Sequence, residues 1–209
     1  MRLTIFGATG RTGIHLLEQA LAAGHEVKVL VRDPSKVKSQ SALLKVLEGN
    51  VQNAAQVEQA VADSECVISV LGPTENKPTY EISAGTDNIL AAMKKQSVRR
   101  LIVSAGAGVG DPNDSPAPFN LFINFLLKIL SRYVYEDMVQ TVAKVRASDL
   151  DWTIVRVPML TNDPQTGKIQ IGYVGKGMSA RISRADMADF ILKQVNDNTY
   201  LHKAPTISN

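Results

Sequence analysis

Three glycines, Gly7, Gly10 and Gly13, stand three residues apart in FGATGRTG, between an apolar stretch and an amphipathic one. Glycines at such a junction let the backbone turn sharply and approach a ligand with no Cβ in the way. A helix that starts there directs free N–H groups and the positive end of its dipole at an anion. The chemistry implied is the holding of a dinucleotide pyrophosphate. The spacing is Gly-x-x-Gly-x-x-Gly, and no Gly-Lys-Ser/Thr follows, which separates it from a P-loop. Thr9, Arg11 and Thr12 share the turn.

The end of the next apolar stretch, VLVRDPSK, bears on which dinucleotide is held. A carboxylate at that position binds the adenosine ribose hydroxyls of NAD, whereas an arginine pairs with the 2′-phosphate of NADP. Arg32 stands there, so NADP is expected over NAD, with Arg11 and Lys36 adding positive charge around the same phosphate. Asp33 follows immediately and would take the ribose if the strand ended one residue later. The alternative for Arg32 is a solvated charge at a strand end. Two more strand ends belong to the same cleft, EGNV and VLGP, where Asn50 and the Val51 backbone would hold the adenine edge and Gly72 would let the cofactor pass.

The elements that must position these residues alternate along the chain. Arg2–Phe6 is a β-rich run, and a helix is expected from Thr12 to Ala23, ended by Gly24. EVKVLVR and LLKVLEG read as strands, NAAQVEQAVAD as a helix, CVISVLG as a strand, Tyr80–Gln96 as a helix and RRLIVSAG as a strand. Near-continuous Val, Ile and Leu strands, each followed by a helix, predict a doubly wound parallel α/β sheet covered on both faces. After Gly106 the pattern changes. GAGVGDPNDSPAP is a loop, NLFINFLLKIL runs on through SRYVYEDMVQTVAKVRAS as one long helical segment, DWTIVRV is a strand, and TGKIQIGYV contains a short one. Ser183 opens the last helix, and its spacing to Asp186 is that of a capping box, a structural role.

Composition agrees with one domain over residues 1–209, with substrate-side elements at about 106–135 and 158–182. Of the 209 residues, 44% are hydrophobic and 21% charged, enough for a sizeable core. No apolar run reaches the roughly 18 residues of a membrane span, and no leader pattern opens the chain, so a soluble cytoplasmic protein is expected. Cys66 is the one cysteine, which precludes an internal disulfide or a thiolate metal cage, and its setting in ECVISVL is that of a buried strand residue. No metal is expected. The net charge of +3 is scattered and lacks the aromatic motifs of RNA binders, so a small phosphorylated ligand is expected in place of nucleic acid.

Taken in order, FGATGRTG, VLVRDPSK, EGNV, VLG, SDLDWTIVRVPML and ISRADMADFIL resemble the atypical short-chain dehydrogenase/reductases of the flavin reductase and biliverdin reductase B type over nearly the whole chain. The resemblance implies a single-domain Rossmann fold, NADPH as hydride donor, and a flavin or linear tetrapyrrole as acceptor, with some relatives acting on quinones or only sensing the nucleotide. It assigns cofactor contacts to Gly7, Thr9, Gly10, Thr12, Arg32, Ser35, Asn50, Val51, Leu71 and Gly72. From their place after the sixth strand, Pro158, Met159 and Leu160 would border the nicotinamide, Met159 and Leu160 being as readily core residues as pocket residues.

The chain departs from the family at the reacting end. The Tyr-x-x-x-Lys of the better-known short-chain dehydrogenases, in which lysine lowers the tyrosine pKa, is missing: Tyr133 is followed four on by Asp137, and Tyr135 by Val139. In VSAGAG, Ser104 matches the first of a hydroxyl pair and Ala105 replaces the second. Val142 lies near the position of a family histidine, and Asn50 stands where the family has aspartate. Hydride transfer to a flavin or extended conjugated acceptor tolerates these losses, because stacking does the positioning and water can supply the proton. Ser104 is then the candidate to orient the nicotinamide or a substrate carbonyl, the alternative being a structural hydroxyl. Phe119, Phe122, Phe125 and Leu126 recur at helical spacing, which suits packing on the sheet, a lid over an apolar acceptor, or a subunit interface in a homodimer.

Overall fold

A computed structural model describes the chain apart from Thr74 and Lys176 and the side chains of residues 119, 120, 122–124 and 127. The strands β1 (Arg2–Phe6), β2 (Glu26–Val31), β3 (Leu44–Glu48), β4 (Cys66–Ser69), β5 (Arg100–Gly106) and β6 (Asp151–Val157) pair in parallel. Among the described residues they belong to an eight-stranded sheet of order β3-β2-β1-β4-β5-β6-β10-β8, where β8 is Gln170–Gly172 and β10 is Thr206–Ser208. The order reverses between β1 and β4, which opens a crevice at the carboxyl ends of those strands.

All four residues of β4 are buried, the expected signature of a strand covered on both faces. On one face α1 (Arg11–Ala22) and α6 (Arg184–Lys193) pack over Leu3, Ile5, Val29, Ile68 and Val155. On the other, α2 (Ala54–Val61), α3 (Glu81–Lys95) and α5 (Arg132–Ala147) cover Phe6, Val67, Leu101, Val103 and Ile154. This is a single-domain Rossmann-like fold.

The second half departs from the sequence expectation in three ways. The long helix is two helices, α4 (Pro118–Leu130) and α5, because Ser131 leaves helical geometry (φ −129°, ψ 43°). Asn76 satisfies both ends at that break, its Nδ2 donating to the Leu130 carbonyl and its Oδ1 accepting from the Tyr133 and Val134 N–H groups. The expected strand in TGKIQIGYV pairs antiparallel with β10, so the sheet is parallel except at this edge. Two three-residue strands, β7 (Met159–Thr161) and β9 (Arg181–Ser183), form a small parallel pair beyond β6 that no sequence periodicity marks.

Candidate functional site

Each glycine of the first turn is fixed by a close backbone contact. Gly7 has φ +86°, and a Cβ there would stand 2.8 Å from the Val70 carbonyl oxygen at the end of β4. A Cβ on Gly13 would lie 2.0 Å from the Gly7 oxygen. Gly10 is the N-cap of α1, its N–H donating to Gly7 O at 3.0 Å; no side chain caps the helix and its first turn holds no acidic residue. The first N–H groups of α1 are thus available to an anion, the arrangement a pyrophosphate requires.

A cavity of about 500 Å³ opens beside this turn. Of the expected contacts it is lined by Gly7, Thr9, Gly10, Arg32, Lys36, Asn50, Val51, Leu71 and Gly72. Arg11, Thr12, Gly13, Ser35, Ser104, Pro158 and Met159 do not line it. Thr12 is buried in the first turn of α1, Ser104 is half-buried in β5, and Met159 is 65% exposed at the start of β7. The cavity extends over residues that the sequence did not single out for binding, among them Glu75, Lys77 and Thr79 between β4 and α3, Glu81 and Ile82 at the start of α3, and Val134 on α5. Their polar loop carries no periodic signal, and only the folded chain brings it over the strand ends.

At the end of β2 the two neighbouring candidates divide their work. β2 stops at Val31, and the Asp33 carboxylate caps a 3₁₀ turn at Pro34–Lys36, accepting from Ser35 N at 3.0 Å and Ser35 Oγ at 2.6 Å. These two hydrogen bonds from Ser35, with the Lys36 ammonium 3.7 Å away, hold the Asp33 carboxyl below its usual range. Arg32 is exposed at the cavity wall and has no ion-pair partner among the described residues. On β3's far side the Asn50 Oδ1 accepts from Gln52 N at 3.0 Å, while Asn88 Nδ2 donates to the Val51 carbonyl at 2.9 Å, so this strand end is braced from α3.

At the reacting end, Tyr133 and Asp137 both line the cavity. The Asp137 carboxylate is buried and accepts from Ile82 N at 3.1 Å and Ser83 N at 2.7 Å, capping α3 from across the site. Tyr80, at the N-cap of α3, has φ +48° and offers no side-chain cap. The residue in the place of the usual lysine therefore supplies a structural cap. Gly106 donates its N–H to Met138 Sδ at 2.8 Å, and Val142 is a core residue. Cys66 is fully buried, and burial pushes its thiol up to about 12, far from any reactive thiolate. Among the described residues no cluster of His, Cys, Asp or Glu could hold a metal ion.

Two polar clusters hold the substrate-side loops. Arg156, fully buried in β6, makes a two-pronged contact with Asp114 at 2.7 and 2.8 Å, and Asp114 also accepts from Val174 N at 3.0 Å. Asp186 accepts from Thr166 N, Gly167 N, Thr166 Oγ and Asn209 Nδ2, and Ser183 Oγ caps its N–H at 3.0 Å, which is the structural role read from the capping box. Of the aromatic series on α4, Phe125 is 59% exposed and Leu126 half-buried, while Phe119 and Phe122 lie outside the described side chains. Among the described residues no helix is long and apolar enough to cross a membrane.

Comparison with known proteins places these features. A family model described as NAD(P)H-binding matches residues 7–198. The chain is 30% identical over 186 residues to a chloroplastic protein of Arabidopsis thaliana, covering 80% of this chain and 62% of that protein's length. It is 27% identical over 183 residues to the oxidoreductase aflX of Aspergillus parasiticus, covering 79% of this chain and 68% of the relative. Among solved structures, a short-chain dehydrogenase/reductase of Veillonella parvula in complex with NADP superposes with a TM-score of 0.80 at 23% identity, over 100% of this chain and 94% of the other, and so shares the fold.

Proposed function

The chain belongs to the NAD(P)H-binding family, and from that premise we propose an NADPH-dependent reductase that delivers hydride to a planar conjugated acceptor: a flavin such as FMN or riboflavin, biliverdin, or a quinone. The observation that carries the cofactor choice is the pairing of Arg32 at the cavity wall, without an ion-pair partner among the described residues, with an Asp33 held in its own turn. A guanidinium matches a phosphate in charge and fork geometry, while one oxygen of the neighbouring Asp33 carboxylate is drawn into its own turn. NADP in the Veillonella structure and the oxidoreductase named among the relatives support the same direction.

NADPH supplies the hydride in this reading, and the chain's residues bind and orient. The α1 N-terminus with Gly7, Thr9 and Gly10 takes the pyrophosphate, Arg32 and Lys36 the 2′-phosphate, Asn50 and Val51 the adenine edge, and Leu71 and Gly72 the passage between. Ser104, Pro158 and Met159 border the nicotinamide. A planar acceptor is favoured because Asp137 stands where a lysine would activate Tyr133, which leaves proton delivery to water.

The purified protein mixed with NADPH and FMN, riboflavin, biliverdin or a quinone should lose absorbance at the nicotinamide band; no oxidation with any of them overturns the reductase. Wild type should bind NADPH more tightly than NADH, and Arg32→Ala should lose about tenfold to a hundredfold for NADPH alone, the weight of a charge-assisted contact of about 1.5–3 kcal/mol. A second reading, an NADP-sensing protein without turnover, draws on the same absent lysine; tight redox-selective binding with no catalysis would establish it.

A further inference from the structure

The segment between β4 and α3 passes the cavity, which Pro73, Glu75, Lys77 and Thr79 line. Asn76 stands among them and does not line it. Its side chain instead enters the break between α4 and α5. There Nδ2 donates to the carbonyl of Leu130, the last residue of α4, at 3.0 Å, and Oδ1 accepts from Tyr133 N at 3.2 Å and Val134 N at 3.4 Å. Ser131, the N-cap of α5, makes no side-chain capping bond, and the first turn of α5 holds no acidic residue. The cap of α5 thus comes from 57 residues earlier in the chain. An amide suits this gap, because its oxygen meets the positive end of one helix while its NH2 group meets the negative end of the other.

Tyr133 and Val134, whose N–H groups this oxygen fixes, line the cavity, as do Glu75 and Lys77 on either side of Asn76. One side chain therefore joins two walls of the same cavity. Two other ties run from α5, Tyr80 Oη donating to Glu136 Oε2 at 2.8 Å and Asp137 accepting from Ile82 N and Ser83 N, but both hold the start of α3. Within residues 75–79 the Lys77–Glu75 ion pair and the bond from Thr79 N to the Lys77 carbonyl are internal. Among the described residues Asn76 alone hydrogen-bonds this segment to the rest of the chain. We propose that Asn76 is a positioning residue for the dinucleotide: it sets segment 75–79 against the first turn of α5 before the cofactor arrives, so that less ordering remains to oppose binding. This rests on reading the cavity as the dinucleotide site. Because Asn76 fixes the walls and lies outside the cavity lining, it acts on NADPH and NADH alike, unlike Arg32.

The test is isothermal titration of NADPH and of NADH into wild type, Asn76→Ala and Asn76→Asp, with urea unfolding of each protein alongside. Asn76 is exposed, and losing one cap leaves most of the stability, so all three proteins should fold. Asn76→Ala should weaken both dinucleotides by the same factor of about three to ten, the weight of a hydrogen bond, and leave the preference for NADPH over NADH at its wild-type value. Asn76→Asp keeps an oxygen for the Tyr133 and Val134 N–H groups, and it should restore both the affinities and the urea midpoint. A lowered midpoint with unchanged affinities would reduce Asn76 to a helix cap and overturn the proposal. So would a loss confined to NADPH, which would place Asn76 at the 2′-phosphate, or a loss that Asn76→Asp does not restore. A wild type that binds neither dinucleotide would overturn the cavity assignment itself, a result distinct from all of these.

Discussion

Gly13 sits inside the first turn of α1, where exchanging glycine for alanine ordinarily stabilises a helix by about 1 kcal/mol. Here a Cβ would stand 2.0 Å from the Gly7 carbonyl oxygen, a backbone atom in the turn that directly follows β1. Overpacking against backbone costs roughly 1–3 kcal/mol, so the clash outweighs the propensity gain. Gly13→Ala should therefore lower the urea midpoint and weaken NADPH binding together; a stabilised variant with unchanged affinity would show that the turn can relax. Arg32 and Asp33 show the same sensitivity to local geometry. Adjacent residues of opposite charge end β2, and the local geometry separates them: Arg32 lies at the cavity wall, while one Asp33 oxygen accepts from Ser35 in its own turn.

Among elements, the loop after β5 is held by a buried pair that secondary structure alone does not suggest. Burial raises the Asp114 carboxyl, but the Arg156 guanidinium and the N–H groups of Val174 and Asp111 outweigh it and hold the group below its usual 3.8. A carboxyl lowered by folding contributes stability above its unfolded pKa and loses it as pH falls through the folded value. Stability should thus decline below about pH 4, and Asp114→Ala should flatten that decline. Leaving Arg156 buried without its partner should cost about 3–5 kcal/mol at neutral pH, measured by denaturant unfolding. On α4 the opposite holds. Leu121, Phe125 and Ile129 are each more than half exposed, so Phe125→Ser should change stability by no more than about 0.5 kcal/mol. A loss of several kcal/mol there would mean that this face is covered in solution.

For the whole molecule, the cavity draws on the ends of β1, β2 and β4, the segment after β3, and residues from α3 and α5, elements far apart in the chain. A ligand bound across them stabilises only the folded state. NADP⁺ at a hundred times its Kd should add about 2.7 kcal/mol, which for a chain of this size corresponds to a rise in Tm of roughly 5–10 °C. NAD⁺ at the same concentration should give a smaller rise if Arg32 and Lys36 engage the 2′-phosphate, and Arg32→Ala should bring the two rises together.

The sequence by itself determined the alternating elements, the glycine turn and the strand ends that face the crevice, because each rests on local rules: apolar periodicity, backbone freedom and short-range capping such as Ser183 with Asp186. The tertiary structure alone decided the break between α4 and α5, which Asn76 caps from a distant loop, and the fate of Asp137, whose carboxylate caps α3. These are polar groups whose partners lie far away in sequence, and a buried charge or uncapped helix end is satisfied by whatever the fold brings within hydrogen-bond distance, which no local pattern specifies.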